Sequence, residues 1–149
     1  MNREILFKAK VKNWKQLPKE EWWVEGYYGI KGNGTELEEH FIICSTFSPI
    51  LSTYPFYFTD IQIDPETLCQ YTGLKDKKGK KIWENDIVQA WSEGSNAIGK
   101  VIRRVDGLYI MYPAYQKKEF WGLYPNKNGK TTVEVIGNIF DNEELLEVE

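Results

Sequence analysis

The chain is poor in the side chains on which chemistry at neutral pH most often rests. It has one histidine, His40, and two cysteines, Cys44 and Cys69, in 149 residues. A general base poised near pH 7 comes most readily from histidine, and structural zinc normally takes four Cys or His ligands. His40 and Cys44 would share a face as a metal pair on a helix, but Phe41-Ile42-Ile43 between them reads as strand, where four residues span about 13 Å. That is too far for one ion. No catalytic residue, metal site or cofactor is expected, and the chain is read as a non-enzyme. Long apolar runs are missing too. Phe41-Ile42-Ile43-Cys44 is among the longest, far short of the ~20 residues a spanning helix needs, so no membrane segment is expected. The opening Met1 to Lys8 sets an acid beside its base and has no apolar core, unlike a secretory signal, and predicts a cytoplasmic location. There both cysteines stay reduced, and Asn33-Gly34-Thr35 is a turn, not a glycosylation site. An excess of positive charge is also lacking: 19 Lys and Arg stand against 22 Asp and Glu, a net −3. No global field draws nucleic acid or an anionic membrane to the chain, and only a local patch could do so.

What is present is apolar and aromatic. Hydrophobic residues make up 42% and aromatics 15% of the chain, enough for one real core in a domain of this length. The strongest local signals are turns. Asn33-Gly34, Asp106-Gly107 and Asn128-Gly129 each separate two strand-like runs, and Asn-Gly or Asp-Gly favours the type I′ hairpin. Asp76-Lys77-Lys78-Gly79 has the order of a type I turn closing into a bulge. Val133, Val135 and Ile139 fall on one face of a period-two strand. Leu108 to Tyr112 is apolar on both faces and should be central or covered. Helix is confined to one turn at Pro65-Glu66-Thr67-Leu68 after Asp64 and a short acidic helix from Asp141 to Leu146. No internal repeat or low-complexity linker is visible, and Phe47 to Pro55 is a weak boundary. The expected architecture is mainly β: one domain with a less regular β-rich part over residues 1–69, a small closed or partly open antiparallel SH3-like barrel over residues 70–140, and a helical turn over residues 141–149.

QYTGLKDKKGKKIWENDIV, residues 70 to 88, is similar to the most characteristic block of the YopX family, Q-Y-T-G-L-x-D-x-x-G-x-x-I followed by E-G-D-I-V. VEVIGNIFDNEELL, residues 133 to 146, resembles the family's closing block, E-V-I-G-N-I followed by an acid, Asn-Pro and E-L. REILFKA near the start and Trp23 to Gly29 resemble weaker blocks, so the resemblance spans nearly the whole chain. Asn85 replaces the family's glycine and Glu143 its proline. Both fit physically, since Asn tolerates a left-handed backbone and Glu suits a first helical turn. The resemblance implies an all-β SH3-type architecture and a phage or prophage origin, and no established activity. Tyr71, Gly73, Gly79, Trp83, Asp86, Gly137 and Asn138, all within these blocks, are read as structural; Asp86 should accept hydrogen bonds from turn amides and fix where the Ile87-Val88 strand begins.

Gly26, Gly29, Gly32 and Gly34 match neither phosphate-binding fingerprint and are read as turn glycines. The adjacent pairs Glu38-Glu39 and Glu143-Glu144 are read as solvated, since glycosidase carboxylates must be held apart across a cleft. The lysines carry more interest. Lys75, Lys77, Lys78, Lys80 and Lys81 crowd one turn with only Asp76 to offset them, and Lys8, Lys10, Lys12 and Lys15 lie near Trp14, Trp22 and Trp23 in sequence. Small barrels that bind single strands combine basic grooves with stacking aromatics. The plainer reading is a solvated turn, a blunted edge and core tryptophans, which the negative net charge favours. The leading expectation is therefore a phage accessory protein that binds a host or phage protein through edge strands and exposed aromatics, and self-associates. A single-strand nucleic-acid binder is the first alternative, and an enzyme of unrecognised type the second.

Overall fold

The computed structural model describes residues 5–32, 38–47, 56–92, 95–112 and 120–146. They form a β structure of antiparallel ladders. Helix among the described residues is limited to four 3₁₀ turns, Trp14–Gln16, Lys19–Glu21, Pro65–Thr67 and Glu143–Leu146. No helix among these residues is long and apolar enough to cross a membrane. Backbone contacts divide the chain between Gln70 and Tyr71 into two compact units.

The unit Ile5–Gln70 carries β1 (Phe7–Lys10), β2 (Trp23–Lys31), β3 (Glu39–Phe47) and β4 (Phe56–Gln62), each antiparallel to the next. Its core forms because alternate residues of these strands point inward: Ala9, Ile42 and Ile63 are buried, with Phe7, Val24, Tyr28, Cys44 and Leu68 packed around them. Beyond β4 the chain returns to β1. Val11 pairs with Ile63, Lys12 N donates to Gln62 O, and Asp64 N donates to Lys10 O. Asp64 then caps the Pro65–Thr67 turn by accepting from Glu66 N, as its position before proline predicts. Thr67 Oγ1 accepts from Lys10 N at 2.8 Å and donates to Asp64 O at 2.7 Å.

A fifth strand, β5 (Cys69–Lys75), starts in this unit, where Cys69 and Gln70 pair with Lys8 and Phe7, and continues into the other. From Tyr71 onward it pairs with β6 (Lys81–Trp83). β7 (Asp86–Ser92), β8 (Ser95–Arg103), β9 (Tyr109–Tyr112), β10 (Trp121–Gly122) and β11 (Glu134–Asn138) form a sheet in the order β10-β9-β8-β7-β11. Its core comprises Ile82, Val88, Ala90, Ala97, Val101, Tyr109, Met111, Leu123 and Val133. β9 lies between β8 and β10 with Tyr109, Ile110 and Met111 all buried, which agrees with its unbroken apolar sequence.

Of the closed or partly open barrel expected over residues 70–140, the closed form is not seen among the described residues: the five-stranded sheet is open, with β10 and β11 at its ends. β5, which pairs with β1 at its first two residues and with β6 at Tyr71 and Lys75, is not one of its strands. The type I′ hairpins are not found either. Gly107 and Gly129 have φ of +89° and +79°, but the residue before each does not, and Asn85 at +70° is the single non-glycine described residue with positive φ. Both connections start two residues earlier than their Asx-Gly pair, and the glycine is the left-handed residue of a type I turn with a bulge. The Asn33-Gly34 turn and most of the Phe47 to Pro55 boundary lie outside the described residues. The acidic C-terminal helix is a single 3₁₀ turn, Glu143–Leu146.

Gly26 and Gly29, expected in turns, lie inside β2, and Gly26 marks a tight approach within this unit. A Cβ built there would lie 2.3 Å from Ile43 O, a backbone atom that no rotamer change can remove. Gly26→Ala is therefore expected to cost about 1–3 kcal/mol through forced backbone shifts. Urea unfolding monitored by tryptophan fluorescence checks this, and an unchanged midpoint would show that the β2–β3 ladder is loose.

Candidate functional site

Two turns of one design lie side by side in the unit that starts at Tyr71. In the first, Asp76-Lys77-Lys78-Gly79-Lys80, Gly79 N donates to Asp76 O and Asp76 N to Lys80 O. In the second, Asn126-Lys127-Asn128-Gly129-Lys130, Gly129 N donates to Asn126 O and Asn126 N to Lys130 O. The side chain of the first residue completes each. Asp76 Oδ1 accepts from Lys78 N and Lys80 N at 2.9 and 2.8 Å, and Asn126 Oδ1 accepts from Asn128 N and Lys130 N at 2.8 and 3.1 Å. These are Asx turns, which use a short acceptor to satisfy amides that strand pairing leaves over. The turns are stitched together at Lys75, whose N donates to Gly129 O and whose O accepts from Thr131 N and Thr131 Oγ1.

Asp76 is the anchor. It is 1% exposed, and its second oxygen accepts from Val135 N of β11 at 3.1 Å. Lys77 N donates to Val133 O beside it. The acid that seemed only to offset lysine charge thus fastens the turn to the sheet, while the lysines point outward. Lys75, Lys77, Lys78, Lys80, Lys127 and Lys130 are exposed, and Lys81 is half-buried with Nζ 5.6 Å from the Tyr71 ring centre. Glu134 balances part of this charge, with Lys78 Nζ at 2.6 Å and Lys77 Nζ at 4.0 Å. The hydrogen bond to Glu134, with its charge, holds the Lys78 ammonium above the usual lysine range. Lys77 Nζ also sits 3.8 Å over the ring of Trp91, which is 44% exposed at the end of β7. Cationic and apolar surface therefore meet there.

The other predicted structural residues lie close by. Tyr71 and Trp83 are buried and face each other at 5.4 Å. Gly73, with φ of +84°, occupies the register shift between Tyr71 and Lys75, where Thr72 Oγ1 donates to Ile82 O. Asp86 is buried and accepts from Trp83 N at 2.8 Å across the left-handed Asn85. At Gly137 a Cβ would meet the Asn142 side chain at 2.5 Å, and Asn138 Oδ1 accepts from Phe140 N and Asp141 N.

Trp14, Trp22 and Trp23 belong to the other unit with Lys8, Lys10, Lys12 and Lys15, so the two predicted basic groups do not form one cluster within either unit. None of the three indoles is fully buried. The closest cation to Trp14 and Trp22 is Lys10, which sequence alone did not single out, and the closest to Trp23 is Lys8.

His40 is engaged on both sides. Its Nδ1 lies 2.5 Å from Tyr28 Oη and its Nε2 3.9 Å from Glu38 Oε1, beside a concavity of about 460 Å³ lined by Lys12, Glu38, Glu39, His40, Gln62 and Asp64. Burial and then the Glu38 charge push the Tyr28 hydroxyl above the usual tyrosine range, the wrong direction for an activated nucleophile. Cys44 donates to Glu25 O, and burial followed by the Glu25 charge raises its thiol likewise. Among the described residues no three His, Cys, Asp or Glu side chains come together as a metal site.

The family model described as YopX protein matches residues 14–147. The chain belongs to the YopX family. No curated protein matches the sequence. Among solved structures, the YopX chain is similar to the crystal structure of protein EF1440 from Enterococcus faecalis, at 19% identity and a TM-score of 0.44, over 97% of this chain and 99% of that one.

Sequence reading missed Asp76 as an anchor and Lys127 and Lys130 as members of the patch. The signal was available as a short echo, Asp-Lys-x-Gly-Lys at 76–80 and Asn-Lys-x-Gly-Lys at 126–130. Asp76→Ala, which strands amides from two segments, should cost about 3 kcal/mol or more, against about 1 kcal/mol for Asn126→Ala in the exposed turn and about 1–3 kcal/mol for Asp86→Ala. Denaturant titration of the three variants tests the ranking; equal losses at Asp76 and Asn126 would remove the anchoring role.

Proposed function

We propose that this YopX protein is a non-enzymatic accessory protein of phage or prophage origin, cytoplasmic in its host cell, that binds an acidic face of a host or phage protein through the paired lysine turns. The SH3-like reading of residues 70–140 belongs to this proposal, as a hairpin-built frame that presents turns at its rim. The observation that carries it is the alignment of the Asp76–Lys80 and Asn126–Lys130 turns at Lys75, which collects lysines from distant parts of the sequence on a rigid backbone. A chain of net charge −3 that concentrates positive charge at one place has a local field unlike its total. Trp91 beside Lys77 favours a protein surface, since interfaces take their energy from buried aromatics while charge steers approach.

Replacing Lys77, Lys78, Lys80 and Lys81 with Glu removes the surface contacts with Glu134 but no core packing, so it should lower the melting temperature only slightly, and it should abolish capture of the partner from infected cells. Affinity pull-down with and without nuclease reads this out. Capture that persists after nuclease and is lost in the reversed variant supports the proposal. Loss of capture on nuclease treatment would assign the site to single-stranded nucleic acid, and capture indifferent to charge reversal would reject the lysine turns. Self-association is part of the same proposal. Exposed Trp91, Phe120 and Tyr124 supply apolar contact area, Tyr124 being 71% exposed. Light scattering should show mass rising with concentration, and a constant monomer mass would rule it out.

A further inference from the structure

Lys10 stands opposite Trp23 in the β1–β2 ladder, and the 3₁₀ turns Trp14–Gln16 and Lys19–Glu21 lead Trp14 and Trp22 back to the same place. The Lys10 ammonium lies 3.8 Å from the ring centre of Trp14, 4.5 Å from Trp22 and 5.6 Å from Trp23. Trp14 and Trp22 meet edge to face at 4.9 Å, and Trp22 Nε1 donates to Leu17 O at 2.9 Å, which fixes that indole. Lys10 itself is 1% exposed, with its backbone N bonded to Thr67 Oγ1 and its O to Asp64 N.

A lysine that merely covers apolar surface lays its stem along it and extends its head into water. Here the head is inside, with three indoles around it. Such faces, negative at their centres, are what recognises ammonium and methylated ammonium groups. We propose that Trp14, Trp22 and Trp23 form an alkylammonium-binding cage that Lys10 fills as an internal ligand, and that the cage takes an external alkylammonium once the Lys10 head is removed. This inference does not depend on the lysine turns. It also accounts for the tryptophans near the N-terminal lysines without nucleic acid: Lys8 lies 4.8 Å from Trp23, Lys15 5.5 Å from Trp14 and Lys19 5.9 Å from Trp22, so the rings already serve cations of their own chain.

The test compares the full-length wild type with Lys10→Ala, Lys10→Met and Lys10→Ala/Trp14→Leu. Each is melted with millimolar choline chloride, with the neutral choline isostere in which a tert-butyl group replaces trimethylammonium, and with sodium chloride at matched ionic strength. Lys10→Ala should melt below wild type, and choline should raise its midpoint by several degrees, the isostere by less than half as much. The Trp22 indole N–H resonance should shift with choline in Lys10→Ala alone. Wild type, with the cage filled by lysine, and Lys10→Met, with it filled by a thioether, should not respond, and Trp14→Leu should remove the response. Equal effects of choline and its isostere would show an apolar hole instead of a cation cage. A rise shared by wild type, or kept without Trp14, would equally overturn the proposal. Where Lys10→Ala gives no melting transition, a double-mutant cycle between Lys10→Met and Trp14→Leu decides: coupling supports the cage and additive losses reject it.

Discussion

A carboxylate taken out of water must find several donors, and the donors that accept it are thereby fixed in place. Asp76 is in this situation. Its oxygens accept from Lys78 N, Lys80 N and Val135 N, so one side chain defines a turn and ties it to a strand distant in sequence. The consequences spread outward. With the first turn fixed, Lys75 is placed to bond Gly129 and Thr131, and the second turn is held against the first. The exposed lysine side chains inherit a rigid base from an interaction made by backbone amides, two of them of Lys78 and Lys80, and not by their own ammonium groups. Charge on the surface and stability beneath it therefore rest on different residues, which is why substitutions only one position apart should act on different properties.

The two lysine groups of the chain are used in opposite ways. Around Trp14, Trp22 and Trp23, ammonium groups lie over the indoles, and the most central of them, Lys10, is buried. Ring faces engaged in this way already carry cations of their own chain. Around the paired turns, by contrast, Glu134 and Trp91 engage Lys77 and Lys78, while Lys75, Lys80, Lys127 and Lys130 project from turns toward solvent. Similar composition has produced an internal contact in one case and an outward field in the other. The difference is set by neighbours: indoles in the first group, short polar turns in the second.

Features governed by near neighbours were legible in the sequence. The Asp76 to Gly79 turn, the cap at Asp64, the left-handed Asn85 and the doubly buried β9 each follow from residues within a few positions. What failed depended on partners far along the chain. The barrel expected over residues 70–140 ignored β1, which takes Cys69 and Gln70 of β5 as partners. The Asx-Gly dipeptides were assigned two-residue loops because the residues that open the longer turns, Arg104 and Asn126, stand two positions before the dipeptide and gave no apolar signal. Lys10 was unreadable for a related reason. It occupies an alternate strand position that patterning assigns to solvent, and of the indoles that enclose it Trp14 and Trp22 come from the 3₁₀ turns between β1 and β2 and Trp23 from the neighbouring strand, all outside the strand's own pattern. Of the candidate site, the first lysine turn could be read directly, whereas its pairing with the second needed the contact between Lys75 and Lys130.

Rigidity also bears on how the proposed site would bind. A flexible lysine-rich loop loses backbone entropy when it docks, about 1–2 kcal/mol for each residue ordered. The paired turns have that ordering in the free protein, through Asx acceptors and the stitch at Lys75, so docking restricts chiefly the lysine side chains. Preorganisation of this kind leaves Coulomb attraction and the contact at Trp91 to set affinity. Because the chain as a whole is negative, an acidic partner approaching elsewhere meets net repulsion. In the proposed complex, attraction at a preordered patch on a chain of net negative charge would favour one orientation before contact, and so a modest patch would gain specificity from the charge of the surface around it.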